Sequence, residues 1–135
     1  MSEQKLFMIV DDDPDDRFFF HEAIKKINTS HECIEVDAGH KALTHLRAAP
    51  RLPNYIFLDI NMPLMDGKEV LRELKKDEKF KNTPVIIYSS SSYHVDIDET
   101  KQLGAAHFIT KTFHIDNLPA DITLALDAVD QSQMS

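Results

Sequence analysis

The stretch Tyr55-Ile56-Phe57-Leu58-Asp59-Ile60-Asn61-Met62-Pro63-Leu64-Met65-Asp66-Gly67 decides how this chain is read. Its first four residues, all apolar, read as a fully buried strand that runs directly into a carboxylate. Asn, Pro, Asp and Gly then break the chain into a turn ahead of the next helix. Asp59 therefore stands at the carboxyl end of a buried strand, where open parallel sheets bind their ligands. The plainer alternative is that Asp59 only caps the turn that follows it.

The same pattern recurs on both sides. Leu6 to Val10 is an apolar run too short for a buried helix, and it ends in Asp11-Asp12-Asp13-Pro14-Asp15-Asp16. Pro14 suits a helix start, and Asp15 and Asp16 complement the helix dipole, so a first helix is expected from about Asp15 to Ile27 with Phe20, Ile24 and Ile27 inward. Cys33, Ile34 and Val36 form a short second strand. A second helix follows from about Gly39 to Ala48, facing the core through Ala42, Leu43 and Leu46. After the strand Tyr55 to Leu58, a third helix runs from about Lys68 to Lys76 on the stripe Val70, Leu71, Leu74. Val85 to Tyr88 is a fourth buried strand, stopping in Ser89-Ser90-Ser91-Ser92. A fourth helix from about His94 to Leu103 has Gly104 as its C-terminal stop. Ala106 to Thr110 is a fifth strand closing on Lys111. From about Asp116 the spacing Leu118, Ile122, Ala125, Leu126, Val129 is helical, and the polar tail 131–135 is expected to fray. Strands alternating with helices predict an α/β fold, a parallel sheet covered on both faces.

At 135 residues the chain is expected to be one domain, 1–135, with its core at about 5–129. The net charge of −8 and the scatter of 15 basic residues argue against a nucleic-acid partner. No apolar run approaches the ~20 residues of a membrane span, and Met1-Ser2-Glu3-Gln4-Lys5 lacks a signal-peptide pattern, so a cytoplasmic location is expected. Cys33 is the only cysteine, which excludes an internal disulfide, and its apolar neighbours predict a small buried side chain.

The strand ends together present Asp11, Asp12, Asp59, the Ser89 hydroxyl and the Lys111 ammonium. With a sheet order of 2-1-3-4-5, strands one and three adjoin at the switch point and their acids converge. Crowded carboxylates repel, and a divalent cation relieves the repulsion. An all-oxygen donor set favours Mg2+ over zinc, with Mn2+ a possible substitute. Carboxylate, divalent ion, hydroxyl and lysine are together the equipment for accepting a phosphoryl group. Two plainer readings compete: Asp11 and Asp12 as helix caps, and Lys111 as a solvated strand end.

Four segments carry a resemblance: Phe7-Met8-Ile9-Val10-Asp11-Asp12-Asp13-Pro14, then Leu58 to Gly67, Pro84-Val85-Ile86-Ile87-Tyr88-Ser89, and Gly104-Ala105-Ala106-His107-Phe108-Ile109-Thr110-Lys111. Jointly the chain, from about Lys5 to Val129, resembles the receiver domain of two-component response regulators. The resemblance implies a flavodoxin-like (βα)5 fold in which Asp59 takes a phosphoryl group from a phosphohistidine on a sensor histidine kinase or histidine phosphotransfer protein. It implies Asp12 and Asp59 as direct Mg2+ ligands, Asp11 acting through water, and the Asn61 backbone carbonyl completing the protein donors. Ser89 and Phe108 map onto the family's switch pair, in which the hydroxyl moves to the phosphoryl oxygen and the aromatic turns inward, remodelling the face of helix four, strand five and helix five. Plain core packing is the competing reading of Phe108. The resemblance further implies that Asn61 and Ser91 occupy positions that tune water access and so phosphoryl lifetime.

The sequence departs from the family at Thr112, where a proline usually follows the lysine through a cis bond. A non-proline cis bond costs about 2.5 to 4 kcal/mol, so a trans bond and a shifted loop are expected, unless the fold holds cis to aim Lys111. The expected protein is a stand-alone receiver and not a classical enzyme, monomeric or dimerising on activation, that signals by protein contact or onward phosphotransfer. Its Asp13-to-Asp16 and Asp77-to-Pro84 segments resemble single-domain regulators paired with phytochrome-like or hybrid kinases. The alternative is a haloacid-dehalogenase-like phosphohydrolase with Asp11 as nucleophile, which Asp11-Asp12-Asp13 formally fits, although Asp15 stands where Thr or Val is expected. A Gly-rich nucleotide loop is excluded by the wide separation of Gly39, Gly67 and Gly104. The seven histidines are dispersed over several elements and read as surface or boundary residues.

Overall fold

The computed structural model of the protein describes residues 3–134; Met1, Ser2 and the last residue of the polar tail, Ser135, lie outside them. Five strands, β1 (Leu6–Val10), β2 (Glu32–Val36), β3 (Tyr55–Leu58), β4 (Val85–Ser89) and β5 (His107–Thr110), form one parallel sheet of order β2-β1-β3-β4-β5. Five helices connect and follow them: α1 (Pro14–Ile27), α2 (Gly39–Ala48), α3 (Gly67–Lys76), α4 (His94–Gln102) and α5 (Leu118–Met134). This is the expected flavodoxin-like (βα)5 arrangement.

The central strands β1, β3 and β4 are buried at every position, which is why they read as unbroken apolar runs. Their side chains alternate between two cores. Met8, Val10, Ile56, Leu58, Val85 and Ile87 pack against α2 and α3, whereas Phe7, Ile9, Phe57, Ile86 and Tyr88 pack against α1 and α5. Each fully buried Leu or Phe contributes on the order of 1.5–3 kcal/mol. Phe20, Phe57 and Tyr88 form a tilted aromatic set under α1, with centroids 4.7 Å and 6.2 Å apart.

Helix ends are set by local chemistry. Asp13 caps α1, accepting from the Asp15 and Asp16 N–H groups, and Pro14 opens the helix. Asp66 and Glu69 form a capping box on α3. At the end of α4, the Gly104 N–H donates to the Lys101 carbonyl and the Ala105 N–H to the Thr100 carbonyl. Gly104 makes that reversal with φ +109°, as its assignment as the stop predicts.

Several expectations are refined. The tail does not fray at Asp130: α5 runs to Met134. The tail contains no Gly or Pro to break the helix, and Asp130 is tied to the sheet by accepting from the Tyr55 hydroxyl at 2.7 Å. A 3-10 turn, Ile115–Asn117, precedes α5. Ile27 and Cys33 are partly and not fully buried. Burial and the Glu35 charge push the Cys33 thiol up to about 12, so it is an inert packing group. No cis peptide occurs among the described residues, so the Lys111–Thr112 bond is trans, as expected.

Gly67 fixes the loop that carries Asp59. A Cβ at this position would lie 2.1 Å from the Asp59 carbonyl oxygen and 2.8 Å from the Ile60 Cα. The Gly67 N–H donates to the Ile60 carbonyl at 2.8 Å, holding the turn against the strand end. Gly67→Ala therefore costs about 3 kcal/mol or more, read as a lowered urea midpoint.

His31 is buried at the opposite edge, where its Nδ1 accepts from the Lys5 N–H at 3.0 Å and its ring lies 5.2 Å from Phe7. Burial, then the charges of Lys25 and Lys5, hold its pKa below the usual 6.5. The unfolded chain therefore takes up this proton more readily than the folded one, and stability falls as pH drops below about 6.5. His31→Gln removes that component, and unfolding midpoints measured from about pH 8 to about pH 5 check it.

Candidate functional site

The sheet ladder continues one residue beyond each strand that bears a site residue. The Asp11 N–H donates to the Val36 carbonyl at 3.0 Å, the Asp59 N–H to the Val10 carbonyl at 3.0 Å, and the Lys111 N–H to the Ser89 carbonyl at 2.7 Å. Backbone hydrogen bonding thus sets all three residues at the rim of the sheet. Because Val10 is paired with Leu58, Asp11 and Asp59 leave adjacent strands side by side.

Asp11 is fully buried and Asp59 is 5 % exposed, whereas Asp12 faces solvent. One carboxylate oxygen from each of Asp11, Asp12 and Asp59 lies within 4.8 Å of the other two. Three hard oxygens at that spacing, one of them open to solvent, suit a divalent cation of the Mg2+ or Mn2+ type that keeps part of its water shell. The donor set therefore fits the expected ion.

Lys111 balances the cluster. Its Nζ lies 2.7 Å from Asp11 Oδ2, 2.8 Å from Asp16 Oδ2 and 3.6 Å from Asp59 Oδ2, with 13 % of the side chain exposed. The ammonium is also 5.3 Å from the centroid of the Tyr88 ring. Lys111 is thus an embedded counter-charge and not a solvated strand end. Burial pushes the Asp11 carboxyl up to about 6, against the pull of the Lys111 hydrogen bond, the Asp13 N–H and the Lys111 charge; Asp59 adds to the rise. Burial likewise raises Asp59, opposed by Lys111, the Ser89 side chain and the Asn61 N–H. For Lys111, burial pulls its pKa down, but the bonds to Asp11 and Asp16 and the charges of Asp11 and Asp59 outweigh it and drive it up.

Ser89 is fully buried at the end of β4, and its hydroxyl accepts from the Ser91 N–H at 3.4 Å. Ser91 is buried as well, and its hydroxyl donates to Asp96 in the first turn of α4. Asp96 also accepts from Lys68 of α3 at 2.7 Å, while Lys68 reaches Glu99 at 3.1 Å and Arg72 reaches it at 3.5 Å. A chain of polar contacts therefore runs from the site to the α3–α4 face. Phe108, paired with Ile87 on β4, is partly buried against the α2–α3 core. Asn61 is exposed, and Leu64 adopts a left-handed conformation at φ 68° in the same loop, 92 % exposed.

The five residues Asp11, Asp12, Asp59, Ser89 and Lys111 are brought together as expected. Two contributors were not read from the sequence. Asp16, assigned there to the helix dipole, is a second partner of Lys111, and Lys68 anchors α4 through Asp96. Neither carries a local signal, since each partner lies far away in the chain. A cleft of about 640 Å3 opens beside Lys111, between the first turn of α1 and the loop Thr112–Ile115, and Phe113 stands fully exposed at its rim.

Residues 7–123 match the model of the response regulator receiver domain. The response regulator Rcp1 of Synechocystis is 31% identical over 120 residues, which span 84% of this chain and 81% of Rcp1. The protein PilG of Pseudomonas aeruginosa is 32% identical over 111 residues, 82% of this chain and 79% of PilG. Among solved structures, the phosphorylated cyanobacterial phytochrome response regulator RcpA superposes with a TM-score of 0.82 at 32% identity, covering 89% of both chains. The Mn2+-bound form of Rcp1 superposes with a TM-score of 0.79 at 30% identity, covering 87% of this chain and 88% of that one. The chain belongs to the receiver domain family of response regulators, the phosphoacceptor modules of two-component signalling.

Proposed function

We propose that Asp59 is the phosphoacceptor and that a sensor histidine kinase or histidine phosphotransfer protein is its donor. The observation that carries this reading is the convergence of two further carboxylates, Asp11 and Asp12, and the Lys111 ammonium on Asp59 at the carboxyl edge of the sheet. An Asp59 oxygen attacks phosphorus, the phosphorus–nitrogen bond of the phosphohistidine breaks, and the imidazole leaves. As the family resemblance implies, Asp12 and Asp59 would hold Mg2+ directly, Asp11 would act through water, and the Asn61 carbonyl would complete the protein donors. When bound there, the ion would supply neutralisation of charge on the transferring oxygens. Lys111 offers an N–H to a phosphoryl oxygen, and the Ser89 hydroxyl offers another.

Asp11 suits a phosphohydrolase nucleophile poorly, being fully buried and engaged with both Lys111 and the Asp13 N–H. When Ser89 turns to the phosphoryl oxygen it releases the Ser91 N–H, and Phe108 moves inward, so the α4–β5–α5 face changes shape. Such a receiver is a signalling protein with slow self-dephosphorylation, not a classical enzyme. Rcp1 and PilG are matched over most of their own lengths, which supports a stand-alone module; its place is the cytoplasm and its output protein contact or onward phosphotransfer. Among the described residues no helix is long and apolar enough to cross a membrane.

Incubation with a small-molecule phosphodonor and Mg2+ is expected to label Asp59, and Asp59→Asn to abolish the label, as read by intact mass. Label persisting in that variant would refute the assignment. Cation affinity is expected to fall as pH is lowered through about 6, because the raised Asp11 carboxyl takes up a proton there and ceases to be a full counter-charge. Titration calorimetry with Mg2+ at about pH 8 and about pH 5 checks the direction.

A further inference from the structure

Asp16 is not among the carboxylates that converge as a cation cluster, yet it makes a full ion pair with the site lysine at 2.8 Å. It sits in the first turn of α1, where its N–H is capped by Asp13, and its side chain is 29 % exposed. The neighbouring Asp15 is exposed on the same turn, and among the described contacts it makes none to Lys111.

An ammonium has three N–H donors. Lys111 gives two of them, to Asp11 and Asp16, and its nitrogen stops 3.6 Å short of Asp59, beyond a good hydrogen bond. A lysine without the Asp16 contact would settle onto the remaining carboxylates, Asp11 and Asp59. There it would occupy the charge that a divalent cation needs and would cover the oxygen that must attack phosphorus.

We propose that Asp16 is a positioning residue for phosphoryl transfer, holding the Lys111 ammonium on the α1 side so that lysine and divalent cation occupy the pocket together. This rests on the assignment of Asp59 as acceptor given above. Asp16 supplies the lysine with a counter-charge that the cation does not take, and it leaves the third N–H free for the incoming phosphoryl oxygen.

The test compares Asp16→Asn with Asp15→Asn, which removes the same charge from the same helix turn without touching Lys111. Two quantities are read: the Mg2+ dissociation constant by calorimetry, and the rate of labelling by a small-molecule phosphodonor at saturating Mg2+. Asp16→Asn is expected to weaken Mg2+ binding about tenfold relative to Asp15→Asn, as suits loss of one charge-assisted hydrogen bond, and to slow labelling even at saturation. Asp16→Glu is expected to restore much of both. Equal values for the two Asn variants would overturn the proposal. A reading independent of any variant's folding is the ammonium resonance of Lys111 in 15N-labelled wild-type protein, expected to be visible and slowly exchanging; a freely exchanging ammonium also overturns it. Asp59→Asn in the same labelling assay separates the two levels. Persistent label there removes the acceptor assignment and this role with it, whereas lost label there with equal Asp15 and Asp16 variants removes this role alone.

Discussion

Two carboxylates forced side by side out of water are the constraint on which the rest depends. Asp11 and Asp59 are placed by main-chain hydrogen bonds to Val36 and Val10, so neither can retreat from the other without breaking the sheet edge. Like charges held together in a poorly hydrated place demand compensation. Lys111, arriving from β5 on the far side of β4, provides part of it. What remains uncompensated is negative charge, which suits the pocket to a divalent cation. The chemistry is in this sense a by-product of strand order: only a sheet that places β3 beside β1 brings these acids together.

The same placement explains where small residues are obligatory. Gly67 lets α3 begin against the backbone of Asp59 itself, and any larger residue would push the loop after Asp59 off the strand end. Asp66 and Glu69 then secure that helix start reciprocally. Leu64, exposed and left-handed, shows the loop between Asp59 and α3 turning sharply. Loop geometry and helix capping thus serve one end, a fixed height for the Asp59 carboxylate above the sheet.

The fold was largely legible because its central strands are buried on both faces. A run such as Val85-Ile86-Ile87-Tyr88 has no polar alternation to confuse it, and a helix such as α3 carries a plain apolar stripe over a charged face. The site was legible for a related reason, since each key side chain stands at a strand end or within two residues of one, and strand ends are well marked by Asp, Ser and Lys. The pairings between distant segments were not legible. Nothing near Asp16 announces that Lys111, ninety-five residues onward, will seek it. The extent of α5 was misjudged because polar residues were read as fraying, although Tyr55 fastens Asp130 to the sheet. Asp13, read as one more acid of a run, proves to be the cap of α1 because only its side chain turns back onto the helix N–H groups.

α4 is built unlike its neighbours. Thr100 is its one buried residue, Val95 and the preceding Tyr93 lie open to solvent, and its attachment runs through Asp96 and Glu99 to Lys68 and Arg72. Its mooring is therefore ionic more than oily, and ionic strength rather than temperature is the natural lever on it. A helix tethered by charge, with Ser91 as its hawser to the pocket, has little greasy surface of its own invested in the interior.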